Sequence, residues 1–301
     1  MIIDCHQHPF WHRHNDADLV ADMDEHGIDF AWVMTWEIPS DEPAEWFAMN
    51  GIFDPALSTP DGATPGIPLT SALAARDHYP DRFVVGYCPN PRLENAPAMF
   101  EAAYHMHRVR VCGEWKFRVP IDDPRCLELF RKAGELKCPV LLHLDVPYLA
   151  DAEGGGPVYQ RFWYGGTVEN LRRALAACPE TIFIGHGPGF WREISGDAEA
   201  NPKVYPDEPV APGGGVQALL EQHSNLYADL SAGSGRGALA RDPDHAREFL
   251  HRFADRVMFG RDFYGKDLHE FLQSLDLPTD VSERIYFRNA AGLVGPPAAG
   301  R

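Results

Sequence analysis

Three features are scarce in this 301-residue sequence, and each scarcity excludes a class of protein. No run of about eighteen apolar residues occurs, so we expect no transmembrane helix. The 27 Lys and Arg are outnumbered by 44 Asp and Glu, and a net charge of -17 argues against non-specific binding to nucleic acid or to an anionic membrane. No Cys-x-x-Cys pair occurs among the six scattered cysteines, so we expect reduced thiols and a cytoplasmic protein.

The remaining composition is that of an ordinary globular protein, with 45% hydrophobic and 24% charged residues. The length would suit two ordinary domains or one large α/β barrel, which takes about 250 residues or more. The N-terminus enters an apolar run at once, so we expect no secretory signal there.

Eight short apolar runs alternate with stretches of helical character along the whole chain. The runs lie at 1–9, 30–34, 83–87, 109–116, 139–144, 181–187, 225–230 and 256–262. The helical stretches include 16–26, 94–108, 123–136, 167–177 and 243–253. This alternation predicts a (β/α)8 TIM barrel that forms a single domain over 1–301. Two long loops rich in Pro and Gly, 37–69 and 187–215, are predicted to cover its mouth.

The opening run places two histidines where a strand would end. Ile2 and Ile3 lead into His6 and His8, and Pro9 then interrupts the hydrogen-bonding pattern of a strand. Because side chains alternate along a strand, the two imidazoles would share one face and could bind one divalent metal ion. A surface or core-satisfied histidine pair is the alternative.

Other metal-binding residue types stand at the ends of the later runs. In a barrel the carboxyl ends of the strands meet at one mouth, where active sites lie. A charged or imidazole side chain in such a place is costly unless it is paired or bound to metal. We therefore predict a site for a divalent metal that draws on His6, His8, Glu114, His143, His186 and Asp262, with Asp229 nearby. The alternative is a set of hydrogen-bonded residues at the rim of the core.

The order of these residues resembles a known superfamily. His6-Gln7-His8, His143, His186 and Asp262, together with the closing stretch 284–291, resemble the amidohydrolase superfamily and its "amidohydrolase 2" branch, which also contains acid decarboxylases. The resemblance covers essentially the whole chain and implies a (β/α)8 barrel with zinc or a similar divalent ion. In the one-metal form it implies four ligands, His6, His8, His143 and Asp262. It leaves His186 free to act as acid, base or polariser, and Asp262 could also accept the proton of the metal-bound water.

Glu114 allows two interpretations. The Gly113-Glu114 pair resembles TatD-like members of the superfamily, in which such a glutamate bridges two metal ions, so the site would hold one or two ions. Alternatively, Glu114 forms a salt bridge to Lys116 or Arg118. If Lys116 faces the mouth instead, it and Arg118 could bind an anionic group of the substrate.

Several neighbouring residues allow more than one role. Arg261 stands where the family usually has a small polar residue, so it either forms a different carboxylate-binding pocket or points outward among the helices. Asp229 could position loops. Five tryptophans could wall the pocket or pack in the core: Trp11, Trp36, Trp46, Trp115 and Trp191.

These observations favour a metal-dependent hydrolase in which metal-activated water attacks an amide, ester or lactone bond of a small molecule. The alternative is a metal-dependent, non-oxidative decarboxylase of an unsaturated or aromatic acid. A decayed, non-catalytic relative is disfavoured because every expected ligand is present. We expect no nucleic-acid or membrane partner, and a homodimer is the default assembly. The sequence leaves the substrate open.

Overall fold

The structure is a computed structural model that describes residues 1–42, 47, 50–52 and 66–297. Its main strands form two parallel sheets. The first contains β1 (Ile3–Gln7), β2 (Phe30–Met34) and β3 (Phe83–Gly86) in that order. The second contains β4 (Cys112–Trp115), β5 (Val140–His143), β6 (Phe183–His186), β7 (Leu226–Asp229) and β8 (Val257–Met258), again in chain order.

Hydrogen bonds join the two sheets along both of their edges. Between β3 and β4, the backbone N–H of Tyr87 donates to the carbonyl of Val111 at 2.9 Å. Between β8 and β1, the N–H of Cys5 donates to the carbonyl of Phe259 at 3.0 Å and that of Asp262 donates to the carbonyl of His6 at 2.8 Å. The eight parallel strands thus follow one another in chain order, and the predicted (β/α)8 fold is confirmed.

Helices follow the strands in the same alternation. They are α1 (Asp16–Glu25), α2 (Leu69–His78), α3 (Ala96–His107), α4 (Pro124–Glu135), α5 (Val168–Ala177), α6 (Pro188–Trp191), α7 (Gly215–Gln222), α8 (Ala232–Ala240), α9 (Pro243–Arg252), α10 (Asp267–Ser274), α11 (Thr279–Glu283) and α12 (Asn289–Leu293), with a π-turn at Arg284–Arg288 between the last two. The local sequence determines where several helices begin. Asn15 and Asp18 form a capping box at the start of α1, and Asp123 and Asp242 cap the starts of α4 and α9.

The strands are apolar on both faces because each face is covered. Along β2, Ala31 and Val33 pack into the large cluster between strands and helices, whereas Trp32 and Met34 pack into a smaller cluster. The smaller cluster also takes residues from β1, β3, β5, β6 and β8, and α12 packs against it. This double burial explains why the strands read as continuous apolar runs in the sequence.

The long loops contain short elements of their own. Trp36–Glu37 pairs with Gly66–Ile67, and Tyr148–Leu149 pairs with Val158–Tyr159, each antiparallel. The loop after β6 contains α6 and two 3-10 turns, Arg192–Ile194 and Ala198–Ala200. Much of the predicted loop 37–69 lies outside the described residues. Across the described part of the chain, no helix has the length and apolarity that a membrane crossing requires.

Candidate metal centre

His6 and His8 face each other at the carboxyl end of β1. Their Nε2 atoms are 3.4 Å apart and both side chains are buried. Each Nδ1 already donates a hydrogen bond, His6 to Asp229 Oδ2 at 2.6 Å and His8 to the carbonyl of Met34 at 2.9 Å. Two imidazole lone pairs at this separation repel unless a positive charge, either a proton or a metal ion, lies between them. The two histidines are thus arranged as a pair of cation ligands.

Carboxylates from two other strand ends approach the same pair. Asp262 Oδ1 lies 3.7 Å from His6 Nε2 and 3.5 Å from His8 Nε2. Glu114 lies 3.9 Å and 3.4 Å from the same two atoms. Two groups with metal-binding geometry result among the described residues, namely His6, His8 and Asp262, and His6, Glu114 and His186. The groups share His6, as one or two neighbouring ions would require.

Two atoms of these groups are buried without a hydrogen-bond partner: His186 Nε2 and Asp262 Oδ1. A buried polar atom left in this way costs free energy, about 1–3 kcal/mol for a typical group. Imidazole nitrogens combined with carboxylate oxygens suit zinc, manganese or iron. The donor set and these two unpartnered atoms fit a divalent cation.

The local charges also favour a cation beside His6. Burial disfavours the charged imidazole, but Asp262 and then Asp229 overcome this and raise the pKa of His6 to about 9. For Glu114 the largest effect, burial, opposes ionisation, but Lys116 and His143 outweigh it and hold the pKa of that carboxyl well below its usual range. The site therefore combines an ionised Glu114 with an imidazole that favours a positive charge.

His143 occupies a different place from the one that the resemblance implies. Its Nδ1 is 2.9 Å from Glu114 Oε1, and its Nε2 is 2.9 Å from Asp145 Oδ2. Ionised carboxylates only accept hydrogen bonds, so both ring nitrogens act as donors in this geometry and neither offers a lone pair to a metal. Neither group with metal-binding geometry includes His143, so its role as a ligand stays a prediction.

Two residues that the sequence patterns did not single out lie next to the site. Asp145 holds His143 from the loop after β5, and its backbone pairs with that of Tyr164. Ser231, just after β7, contacts Asp229 and His186. The only sequence signal for either is its position, two residues after a candidate residue at a strand end.

Asp229 supports the imidazoles directly, a closer role than the loop positioning predicted for it. Its carboxylate is fully buried and accepts from His6. Gly260 makes this possible, because a Cβ at that position would lie only 2.5 Å from Asp229 Oδ1 and 3.1 Å from the Cβ of His6. The absent side chain thus lets β8 approach the carboxylate and the ligand pair closely.

Of the two predicted substrate-binding cations, Lys116 is the one whose charge acts on Glu114 and His143. Its ammonium is 3.9 Å from the centre of the Trp36 ring and 5.4 Å from that of Tyr164. Arg118 is tied to loops: its side chain donates to Tyr159 Oη at 2.8 Å. Glu114 contacts His143 and the ligand histidines, which favours the metal interpretation of Glu114 over a simple salt bridge.

Arg261 takes the second of its two predicted roles and points outward. Its guanidinium donates to Asp4 Oδ2 at 2.7 Å and to Asp22 Oδ2 of α1 at 2.6 Å. The side chain is only 4% exposed, so these contacts form a buried ion-pair network behind the ligand pair. It links the end of β8 to β1 and α1.

The tryptophans divide between pocket and core. Trp11 lies against the His8 ring at 5.0 Å and against Trp36 at 5.8 Å, so these two rings stand at the site. Trp115 and Trp191 are fully buried in the core. Trp46 lies outside the described residues.

Comparison with known proteins agrees with this geometry. The profile of the Amidohydrolase family matches residues 3–295. No curated protein sequence matches the chain.

Solved structures with low sequence identity share the fold. An uncharacterized TIM-barrel protein from Bordetella bronchiseptica is 17% identical, with 97% of this chain and 98% of that one covered and a TM-score of 0.61. A probable 2-pyrone-4,6-dicarboxylic acid hydrolase from Acinetobacter baumannii is 13% identical, with 98% and 99% covered and a TM-score of 0.58. A 2,6-dihydroxybenzoate decarboxylase from Rhizobium is 15% identical, with 97% and 98% covered and a TM-score of 0.56.

Structural neighbours of this kind include both a hydrolase and a decarboxylase, so the fold alone does not select the reaction. The family match, in contrast, spans nearly the whole chain and agrees with the resemblance carried by the histidines and Asp262. The chain is an enzyme of the amidohydrolase superfamily, hydrolase or decarboxylase, and belongs to the Amidohydrolase family.

Proposed function

We propose that this protein is a metal-dependent hydrolase that uses water to cleave an amide, ester or lactone bond of a small molecule. The observation that carries the proposal is the position of Glu114. Its carboxylate is 1% exposed and belongs to one of two metal-binding groups that share His6. A carboxylate at this strand end suits a site for two ions, which is a common arrangement in hydrolases.

The residues present fit the proposed roles. His6, His8 and Asp262 would hold one divalent ion, for which zinc is our first candidate, and Glu114 with His186 would hold a second. Such an ion, when bound, lowers the pKa of a coordinated water to about 7 and polarises a carbonyl group. Asp262, whose Oδ1 lacks a hydrogen-bond partner, is placed to accept a proton from an attacking water.

The substrate that we propose carries an anionic group. Lys116 lies between two aromatic rings, and its charge acts on Glu114 and His143, so it lies beside the reacting centre. Arg118, further out, would contribute where the substrate is longer. The Acinetobacter neighbour, named a dicarboxylic acid hydrolase, agrees with an acidic substrate.

Decarboxylation is the second candidate, and the geometry of His143 favours it. In that reaction the bond between carbon and carboxylate breaks, carbon dioxide leaves, and the electron pair left on carbon takes up a proton. An imidazole that donates from both nitrogens, as His143 does to Glu114 and Asp145, can supply such a proton. The Rhizobium neighbour is named a decarboxylase.

We further propose that the enzyme works in a reducing compartment such as the cytoplasm, because all six cysteines are buried free thiols. A homodimer remains our proposal for its assembly, on the general frequency of twofold symmetry.

Metal content tests the hydrolase proposal directly. Protein purified without chelator is analysed for metal beside Glu114→Gln, with Glu193→Gln as a control outside the metal-binding groups. About two equivalents per chain, falling to one in Glu114→Gln only, would support the two-ion site and direct assays to lactones, esters and amides. One equivalent in all three proteins would make Glu114 structural and favour decarboxylation. No metal after repletion would contradict both mechanisms.

A further inference from the structure

Four buried side chains meet behind the metal-binding groups. Asp229 Oδ2 lies 2.6 Å from His6 Nδ1 and 2.7 Å from Ser231 Oγ. The same Ser231 Oγ lies 2.9 Å from His186 Nδ1 and 3.2 Å from His6 Nδ1, and an Nδ1–H at either position can only donate to it. All four residues are at most 1% exposed, so solvent does not provide alternative partners.

Counting protons along these contacts fixes the direction of each hydrogen bond. A carboxylate accepts and does not donate, so the 2.7 Å contact requires the single hydroxyl proton of Ser231 to point at Asp229. Ser231 Oγ then has only lone pairs to offer His186 Nδ1. The 2.9 Å contact is therefore a hydrogen bond in which His186 Nδ1 donates.

The opposite arrangement conflicts with the same distances. If Ser231 donated to His186, its lone pairs would face a carboxylate oxygen at 2.7 Å with no proton between them. The other Asp229 oxygen is already engaged, since it accepts from the backbone N–H of Ser231 at 2.9 Å. One carboxylate thus orients His6 directly and His186 through a hydroxyl.

We propose that Asp229 and Ser231 are positioning residues that keep His186 in the tautomer with the proton on Nδ1, so that its unpartnered Nε2 presents a lone pair to the site. Nε2 is then a metal ligand or a proton acceptor. It can act as a proton donor only after it has taken up a proton. The assigned tautomer narrows the three roles predicted for His186, which are acid, base and polariser. The inference concerns the same site as the proposed function and rests on it.

Carboxylates fix the tautomer of metal-ligating histidines in the same way, by accepting a hydrogen bond from the ring nitrogen that does not bind the metal. The serine adds one feature, because it lets a single carboxylate serve two imidazoles whose Nδ1 atoms approach it from different strands. Loss of such an outer partner usually lowers metal affinity or activity by about 10- to 100-fold.

Nitrogen-15 spectroscopy of metal-free protein tests the proposal without an assay. Histidine is labelled, and spectra recorded at about pH 8, where an ordinary histidine is neutral, show which ring nitrogen carries the proton. His186→Gln identifies the signals of His186. We expect a protonated Nδ1 and an unprotonated Nε2 in the unaltered protein. In Ser231→Ala we expect the proton to move at least partly to Nε2, because Nδ1 loses its acceptor at 2.9 Å and keeps only the longer contact to Asp229 Oδ2, at 3.4 Å.

A matched variant separates this effect from general damage. Ser234→Ala removes the hydroxyl of a second buried serine, three residues away. In the part of the chain that the structure describes, this hydroxyl forms one hydrogen bond, to the carbonyl of Ser231 at 3.4 Å. It should leave the His186 signals unchanged. A protonated Nε2 in the unaltered protein, or identical His186 signals in it and in Ser231→Ala, would overturn the proposal.

Once a substrate is found, kinetics provide a second readout. Ser231→Ala should lower kcat by about 10-fold or more with little change in KM if His186 acts in the chemical step. The two proposals fail separately: loss of the hydrolase proposal would leave the tautomer of the metal-free protein standing, and an unexpected tautomer would leave the comparison of metal content with Glu114→Gln as an independent test of the two-ion site.

Discussion

A buried glutamate, Glu114, and a partly buried one, Glu37, show how the surroundings of a carboxyl decide its charge. Burial by itself would raise the pKa of both carboxyls. At Glu114 the nearby Lys116 and His143 outweigh burial, and the carboxylate remains ionised. At Glu37 burial dominates, since its partners are hydrogen-bond donors, the backbone of Asn90 and the hydroxyl of Tyr87, and the pKa rises to about 7. At neutral pH the first carboxyl is therefore fully ionised, whereas the second is ionised only in part.

Replacing Glu37 should therefore change how stability depends on pH. Its pKa is near 4.5 in the unfolded chain and about 7 in the folded one, so the folded state holds the proton more tightly. The resulting stabilisation is complete below about pH 4.5 and is lost as the pH rises to about 7. Glu37→Gln should gain on the order of 2 kcal/mol relative to the unaltered protein between pH 5 and pH 8.

Urea unfolding at the two pH values measures this difference. The control is Glu25→Gln, at the exposed end of α1, for which we expect the same difference from the unaltered protein at both pH values. A pH-independent effect of Glu37→Gln would contradict the assigned protonation.

At the scale of elements, Arg261 joins three pieces of structure just behind the metal-binding groups. It follows β8, its guanidinium contacts Asp4 of β1, and a second contact reaches Asp22 of α1. The backbone N–H of Arg261 also donates to Asp4 Oδ1 at 2.9 Å. Since Asp262 is the next residue, this network holds a candidate ligand in register with the histidines of β1.

Removing the cation alone should be strongly destabilising. Arg261→Met leaves Asp4 buried without its ionic partner, and breaking a buried pair in this way costs about 3–5 kcal/mol. The paired variant Asp4→Asn with Arg261→Met removes both charges and should recover part of that loss. Denaturant unfolding of the two proteins gives both values. Equal stability of the single and paired variants would show that the charge on Asp4 is not the cause.

Most of the strands could be predicted from the sequence because double burial leaves a continuous apolar run. The boundaries differ most at β8, where the run 256–262 predicts a longer strand than the regular one, Val257–Met258. The physical reason is that Arg261 and Asp262 bond to Asp4 and His6, with Asp262 in the left-handed region at φ 48°. These side-chain and backbone contacts leave no pattern in the local sequence.

The same limit applies to the site. The ends of the runs predicted which residues would converge, because a parallel barrel brings those ends together. The sequence could not show that His143 lies between two carboxylates, since Asp145 is near in sequence but Glu114 is not. Nor could it reveal that Asp229 orients His6 from 223 residues away. Such pairings depend on the registers of different strands.

Across the whole molecule, the candidate centre connects the two ends of the chain with its middle. His6 lies on β1, Glu114 on β4, His186 on β6, and Asp262 follows β8. An ion bound by these residues would cross-link strands on opposite sides of the barrel. Because the unfolded chain does not hold the ligands together, binding should add directly to the free energy of unfolding.

Thermal unfolding with and without metal tests this linkage. At a free metal concentration about 100 times Kd, binding contributes about 2.7 kcal/mol, which corresponds to a rise in Tm of roughly 4 °C for a chain of this size. Chelator-treated protein should lose the rise and regain it when zinc or manganese is added. The variant His6→Gln with His8→Gln should respond to neither treatment, because it lacks both imidazoles of the ligand pair. An equal metal-dependent rise in that variant would place the bound ion elsewhere.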